Sequence, residues 1–262
     1  MRQYHSPAKR KVRLTKVEKM YRDLDQYLKE YCELPFERVV ESYRRRAIVE
    51  ALDTLSSKSL IEVGCGLRSI FYDLSDEYKG IIIEPIAELL ERQKLGLNRS
   101  VDYRNAQFQD VMDLEIGSDR IVLFSSLLHE LRNPEDLLEH SKRFLGDSGS
   151  IICVVPNGLS IHRFLGVEKN LLSGQLDRSE TQQRMQQAQT VFTPETLTKL
   201  LEDCGFHVSH VRTFFPKLTS HARMQHLLDK GRITKEFLEQ LFRLSDELEP
   251  IGSEILIIGE VK

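Results

Sequence analysis

The pattern of hydrophobic positions changes near residue 60 of the 262-residue chain. Before that point, apolar side chains recur every three or four residues over about 16–32 and 37–53, which predicts two amphipathic helices. After it come short, largely apolar runs, at 60–63, 80–83, 121–124 and 151–155. Such runs are typical of strands that are buried on both faces of a parallel sheet.

Helix-prone stretches separate these runs, at about 68–76, 86–95 and 134–145. Their alternation with strands predicts an α/β fold with a doubly wound sheet and helices on both faces. Later in the chain, Thr193 begins a further helix that Gly205 ends. It is followed by a predicted strand, two helices and a final strand, over about 206–215, 219–230, 234–248 and 254–258.

This length suits one α/β domain with appended helices. We expect a basic arm and N-terminal helix over 1–36 and the main domain over 37–262, with helical insertions at about 157–190 and 219–250. The apolar faces of the second insertion allow three arrangements. It could form a lid over a ligand, a homodimer surface, or a layer packed against its own domain.

Charge and composition narrow the class of protein. The net charge of −3 provides no general attraction for nucleic acid, although residues 1–19 carry seven Lys and Arg against one acid. That arm either contacts an anionic partner or is a solvated terminus. No window is apolar enough to span a membrane and no secretory signal is present, so we expect a cytoplasmic protein. The four cysteines and eight histidines have no metal-ligand spacing, so we expect no metal.

The sharpest chemical feature is the turn Glu62-Val63-Gly64-Cys65-Gly66, which follows the first predicted strand. Glycines let a ligand approach the backbone closely, and a helix starting beyond them would offer free N–H groups to a carboxylate or phosphate. Glu84 ends the second predicted strand. A carboxylate at that position can accept hydrogen bonds from both ribose hydroxyls of an adenosine.

A nicotinamide-dependent oxidoreductase would also have that acid. Its loop normally needs a third glycine for close helix–strand packing, and Ser69 stands at that position here. The acid Glu62 before the first glycine is unusual for a dinucleotide loop and suits a cationic amino-acid ligand instead.

Together these segments resemble the class I S-adenosylmethionine-dependent methyltransferases. Residues 62–66 are similar to the family's acid-x-Gly-x-Gly motif, and Glu84-Pro85 to its ribose-binding acid. Four later segments resemble its fourth strand with a Leu-His pair, the turn before its fifth strand, a later helix and the start of its sixth strand: 119–131, 145–150, 192–195 and 204–206. The resemblance covers about 38–215 and the final strand.

The resemblance implies a seven-stranded, mostly parallel sheet with an antiparallel last strand, extra N-terminal helices and a helical insertion before that strand. It also implies S-adenosylmethionine as cofactor, contacted by Glu62, Gly64, Cys65, Gly66, Glu84, Pro85, Gln107, Phe108 and Ser125. Arg68 departs from the family, in which a small residue is usual. This cation either alters the methionine end of the pocket or points to solvent.

Methyl transfer mainly requires a nucleophile that is aligned with the carbon–sulfur bond and shielded from water. For a hydroxyl acceptor, histidine is a suitable general base at neutral pH, and His129 follows the fourth strand at the ligand-binding edge. His129 could instead only pack against the cofactor. His162, Arg163 and Tyr43 are candidates for the acceptor pocket, with Arg163 able to hold an anionic group bidentately or to face solvent.

The leading hypothesis is a methyltransferase acting on a hydroxyl or amine of a small molecule, such as a sugar-containing or secondary metabolite. A catalytically inactive cofactor-binding scaffold and an NAD(P)-dependent oxidoreductase are the alternatives. A nucleic-acid or protein methyltransferase is less favoured, because the chain is slightly acidic and shows no base-flipping motif.

Overall fold

The computed structural model describes residues 34–97, 101–114, 119–179, 182–183 and 189–262, together with positions 25, 28, 29 and 31. The predicted basic arm and most of the predicted helix over 16–32 lie outside the described residues. Where the helix is described, positions 25, 28, 29 and 31 are helical.

A seven-stranded sheet forms the centre of the fold, with the strand order β3-β2-β1-β4-β5-β7-β6. Its strands are β1 (Ser59–Val63), β2 (Lys79–Ile83), β3 (Val101–Arg104), β4 (Ile121–Ser125), β5 (Ser150–Pro156), β6 (Phe206–Phe214) and β7 (Glu254–Val261). β1 to β5 pair in parallel, whereas β7 runs antiparallel to both β5 and β6. The predicted doubly wound sheet with an antiparallel last strand is therefore confirmed.

Helices cover both faces of this sheet. They are α1 (Glu37–Asp53), α2 (Ala87–Gly96), α3 (Pro134–Ser141), α4 (Ile161–Glu168), α5 (Pro194–Asp203), α6 (His221–Asp229) and α7 (Lys235–Arg243). Most agree with the helical periodicity, but the helix predicted over 68–76 is wrong. Only a 3₁₀ turn, Ile70–Tyr72, forms there.

The core has two sides because successive strand residues point to opposite faces. Along β4, Ile121 and Leu123 pack with the cluster under α1, while Val122 and Phe124 pack with the cluster under α3 and α5. This two-sided burial explains why the central strands are apolar without alternation.

The insertion over 219–250 packs against its own domain. Met224 of α6, and Leu238 and Phe242 of α7, are buried in the same cluster as α1. The Phe242 ring lies 5.1 Å from the Tyr43 ring and 6.2 Å from that of Phe214. The start of α6 is thereby held beside the carboxyl ends of the strands. Across the described ranges, no helix is long and apolar enough to cross a membrane.

Candidate active site

A cavity of about 1430 Å³ lies at the carboxyl ends of β1, β2 and β4. Ligands of open α/β sheets bind at this edge, where the loops after neighbouring parallel strands meet. Further walls come from α1, the turn after β3, α4, the start of α6 and the start of β7. All of the predicted site residues except Tyr43 line this one cavity.

The glycine turn exposes its backbone to the cavity. Gly64 and Gly66 have φ angles of 76° and 55°, in the left-handed region that favours glycine. A Cβ at Gly64 would find Leu127 Cδ2 at 3.8 Å as its nearest neighbour, so no side chain blocks the approach. The Gly64 N–H donates to the Ile83 carbonyl over 2.9 Å, which joins the turn to the end of β2.

Glu62 is buried beneath this turn. Its Oε1 accepts a hydrogen bond of 2.8 Å from the Ile70 N–H, and its Oε2 accepts one from the Ser69 hydroxyl. Burial raises the pKa of Glu62 to about 7, against the opposing effect of these two hydrogen bonds. The carboxyl group therefore supports the ligand loop from behind.

The backbone N–H groups after the turn are occupied by the protein's own side chains. Those of Ser69, Ile70 and Phe71 donate to Gln93 Oε1 at 3.1 Å, Glu62 Oε1 at 2.8 Å and Ser69 Oγ at 3.1 Å. The prediction that a helix N-terminus offers free N–H groups here is therefore wrong. The physical reason is that a buried carboxyl, an amide and a hydroxyl cap this short turn internally.

Arg45 of α1 holds the same segment from the other side, and periodicity did not single it out. Its guanidinium donates to the carbonyls of Arg68 at 2.5 Å and Ser69 at 2.9 Å, and to Asp73 Oδ2 at 2.6 Å. The Arg68 side chain is half-exposed, pairs with Asp73 at 3.0 Å and lies over the Tyr72 ring at 4.5 Å. The cation that departs from the family pattern is thus held by Asp73 and Tyr72 at the rim of the cavity, which it also lines.

Glu84 lines the cavity at the tip of β2. Its Oε1 accepts a 3.0 Å hydrogen bond from the Ile86 N–H, and its Oε2 a 3.4 Å one from the Gly66 N–H. Burial raises its pKa, and these backbone donors oppose that effect. The adjoining Asn105 amide donates to the carbonyls of Glu84 at 2.9 Å and Pro85 at 3.0 Å. The loops after β2 and β3 are therefore joined, and Pro85, Gln107, Phe108 and Ser125 complete this end of the cavity.

The candidate acceptor residues differ in what they contact. His129 is buried in the 3₁₀ turn Leu128–Glu130 after β4 and lines the cavity. Arg163 is also buried, but its Nε donates to the Gln175 carbonyl at 2.6 Å and its Nη2 to the Asp177 carbonyl. The Nε/Nη2 edge of the guanidinium is already in use, so a bidentate contact with an anion would have to come from its Nη1/Nη2 edge.

Tyr43 lies outside the cavity. Its ring stacks on Phe215 at 4.5 Å and lies near Phe242, in the apolar layer between α1 and α7. The expectation that it contacts the acceptor is therefore not supported by its position. The physical reason is that Tyr43 lies on the face of α1 that packs against other aromatic rings, where a large ring stabilises the core.

Another part of the cavity wall is a buried charged group that the sequence motifs did not indicate. Arg44 Nη2 lies 2.9 Å from Glu37 Oε1 and 3.1 Å from Glu254 Oε1, while its Nε donates to Glu254 Oε2 at 3.1 Å. Lys217 and His221 line the same wall. No short motif signals this group, because its members come from α1, β7, α6 and the segment after β6.

A glycine turn, a carboxylate at the tip of the next strand and a histidine after β4 in one cavity match the arrangement expected for a methyltransferase. A family model described as "Methyltransferase domain" matches residues 38–211, about two thirds of the sequence. The chain belongs to this family. It is a class I methyltransferase whose cofactor is S-adenosylmethionine. No curated protein matches its sequence.

Solved structures share the fold at low sequence identity. The plantazolicin methyltransferase BamL, in complex with a triazolic desmethylPZN analog and S-adenosylhomocysteine, is 19% identical with a TM-score of 0.58, covering 90% of both chains. A Thermotoga maritima S-adenosylmethionine-dependent methyltransferase is 18% identical with a TM-score of 0.55, covering 93% of this chain and all of the other. One from Mesorhizobium loti is 15% identical with a TM-score of 0.54, covering 80% of this chain and 96% of the other.

Proposed function

We propose that the protein transfers a methyl group from S-adenosylmethionine to a hydroxyl or amine of a small molecule. This proposal rests on the continuity of one cavity. It extends from the glycine turn and Glu84 to His129 and His162. A concave space of about 1430 Å³ has room for a cofactor and a small acceptor side by side.

The open turn fits the cofactor, because Gly64 leaves its backbone accessible and Glu84 faces the same space. Glu84 would accept hydrogen bonds from the ribose hydroxyls, and Gly64 and Gly66 would allow close approach at the methionine end. Pro85, Gln107, Phe108 and Ser125 would surround the adenine and ribose. The cofactor, when bound, supplies a methyl group on a sulfonium, which is strongly electrophilic.

His129 would take the proton from the acceptor hydroxyl or amine, since it lines the cavity after β4. The buried walls from α1, α4 and α6 would exclude water and hold the acceptor in line. His162 and Arg163 would contribute to the acceptor wall, Arg163 by holding the chain at 175–177 in place. The plantazolicin methyltransferase, whose structure is in complex with a triazolic desmethylPZN analog, supports an acceptor site beside the cofactor by analogy of fold.

The cofactor half is tested by isothermal titration with S-adenosylhomocysteine. Glu84→Ala should weaken binding about 100-fold, because two charge-assisted hydrogen bonds are lost. Glu88→Ala is the matched control, an exposed acid at the start of α2. The absence of saturable heat in the wild type, or equal affinities for both variants, would contradict the proposal.

The acceptor half is tested by transfer of tritiated methyl from S-adenosylmethionine into an extract of the producing cells, separated by size. Label should enter the low-molecular-mass fraction; label confined to protein or nucleic acid would contradict the proposal. His129→Ala should lower the rate about 100-fold or more while leaving S-adenosylhomocysteine affinity unchanged. An unchanged rate would exclude His129 as the base.

A further inference from the structure

Three basic side chains line one part of the cavity wall, which is formed by elements that follow β5 in the sequence. Lys217 follows β6, His162 belongs to α4 and His221 begins α6, and all three line the cavity. Lys217 is only 6% exposed. Its backbone N–H donates to the Ser253 hydroxyl over 2.8 Å, which holds this segment against the start of β7.

These side chains have polar groups without protein partners. The Lys217 ammonium makes no hydrogen bond or ion pair with any residue in the described ranges. The Nδ1 atoms of His162 and His221 are both buried and, within the same part of the chain, also lack a hydrogen-bond partner. Leaving a buried polar group without a partner destabilises a protein, and leaving a buried charge without one destabilises it more.

The neighbouring carboxylates do not supply the missing acceptors. Glu254 and Glu37 both accept from Arg44, at 2.9–3.1 Å. Glu37 Oε2 lies 3.8 Å from His221 Nε2, beyond hydrogen-bond distance. The Lys217 ammonium is therefore the group on this wall that still lacks an acceptor, with His162 and His221 beside it.

We propose that this wall, formed by Lys217, His162 and His221, binds an anionic carboxylate or phosphate group carried by the methyl acceptor. Lys217 forms the ion pair with this group, and His162 and His221 lie beside it on the same wall. The assignment to the acceptor rests on the proposed function, because it places cofactor and acceptor at opposite ends of one cavity. The cofactor end already has its own carboxylate in Glu84, which disfavours an anion there.

Protonation states agree with this geometry. Burial lowers the pKa of Lys217 to about 8, so the side chain is still mainly charged at neutral pH. Burial, then Lys217 and Arg44, lower the pKa of His221 to about 2, and the pKa of His162 is also well below its usual value. Both imidazoles are thus neutral and each carries one N–H. Arg44, Glu37, Glu254 and Arg163 set the remaining field around Lys217.

Trace acetylation with acetic anhydride tests the site, with the labelling rate at Lys217 read by mass spectrometry. The exposed Lys199 of α5 is the internal reference, and the full chain is used with and without saturating S-adenosylhomocysteine. Sodium benzoate and inorganic phosphate are the anionic probes, and uncharged benzamide is the control. On the loaded protein, benzoate or phosphate should slow labelling of Lys217 at least about fivefold relative to Lys199, with saturation.

The pattern of protection identifies the anion. Protection by benzoate alone supports a carboxylate, by phosphate alone a phosphate group, and by both an unselective oxyanion site. No protection by either anion, or equal protection by benzamide, overturns the proposal. Full protection by S-adenosylhomocysteine alone also overturns it, because the anion would then be the cofactor's own carboxylate.

Two variants connect the effect to the named side chains. Lys217→Met should abolish the shift in denaturation midpoint that the protective anion produces, whereas the matched Lys199→Met should retain it. S-adenosylhomocysteine affinity should stay within about twofold in both. If Lys217→Met does not fold, His162→Ala serves, and anion protection of Lys217 that is unchanged in it contradicts the proposal. Anion protection in a wild type that binds no S-adenosylhomocysteine would refute the proposed function and leave the anion site standing.

Discussion

The two ends of the cavity are built in opposite ways. At the glycine turn, Glu62 and Gln93 are hydrogen-bonded within the protein, so the loop is fixed before any ligand arrives. At the wall formed by Arg44, Glu254, Lys217, His162 and His221, Arg44 and Glu254 are paired. The Nδ1 atoms of both histidines have no hydrogen-bond partner among the described residues, and neither does the Lys217 ammonium. The loop at the glycine turn is thus preformed, whereas Lys217 on the other wall still lacks a partner among the described residues.

This difference indicates which part of the cavity determines specificity for the acceptor. A cofactor shared by a whole family can be held by a rigid, internally satisfied loop, since its shape never changes. An acceptor that differs between members is recognised by side chains whose own partners are missing until it binds.

Replacing Arg44 should have the largest effect. Arg44→Met leaves Glu254 and Glu37 buried without their cation, and we expect the free energy of unfolding to fall by about 3–5 kcal/mol in chemical denaturation. Arg46→Met, on the same helix, breaks half-exposed pairs with Glu50 and Glu239 and the contact of the guanidinium with the Phe242 ring, and should cost about 1–2 kcal/mol. Equal losses of stability in the two variants would show that the buried Arg44–Glu254 ion pair stabilises the protein no more than exposed pairs do.

Glu62→Gln should show a pH-dependent effect at the cofactor end. Burial raises the pKa of Glu62 from 4.5 to about 7, so the folded state holds its proton more tightly than the unfolded state does. Stability from this group is complete below about pH 4.5 and is lost as the pH rises toward 7. The variant should therefore gain stability relative to the wild type over that interval, by up to about 3 kcal/mol.

The measurement is urea denaturation at several pH values. Glu88→Gln is the control, because an exposed acid should give a difference that does not change with pH. A constant difference for Glu62→Gln would mean that its carboxyl group is solvated when folded, contrary to its position beneath the turn.

Gly64→Ala separates backbone strain from ligand approach. A φ of 76° costs an alanine about 1–2 kcal/mol, although space for its Cβ exists. Gly231, with a φ of 62° and no neighbour within 4 Å of a Cβ, is the matched control outside the cavity. Both variants should lose similar stability, but only Gly64→Ala should bind S-adenosylhomocysteine more weakly. Equal affinities of the two variants for S-adenosylhomocysteine would contradict the proposal that the cofactor closely approaches the Gly64 backbone.

Tyr43→Phe should have the smallest effect. Its ring packs between Phe215 and Phe242 and keeps that role without the hydroxyl, so stability should change by less than about 0.5 kcal/mol. Methyl transfer and anion protection of Lys217 should match the wild type. A clear loss of either would instead support the sequence-based expectation that Tyr43 contacts the acceptor.

The fold and the cofactor end were largely predictable, since their signals are local. Apolar runs such as 121–124 mark strands buried on both faces, and the glycines at 64 and 66 mark a turn that requires positive φ. The helix predicted over 68–76 failed because tertiary contacts from Glu62 and Arg45 hold that segment in a short turn. The spacing of apolar residues cannot indicate hydrogen bonds from residues that are distant in the sequence.

By itself, the sequence determined the alternation of strands and helices, the glycine turn and the acid at the tip of β2, because each depends on neighbouring residues. Only the tertiary structure decided that Arg44 meets Glu254 and that Lys217 faces the same space as His162. Those pairs are separated by many residues, and their meeting depends on how α1, α4 and β7 pack around the sheet. Burial then sets the charges of these groups, which no local pattern reveals.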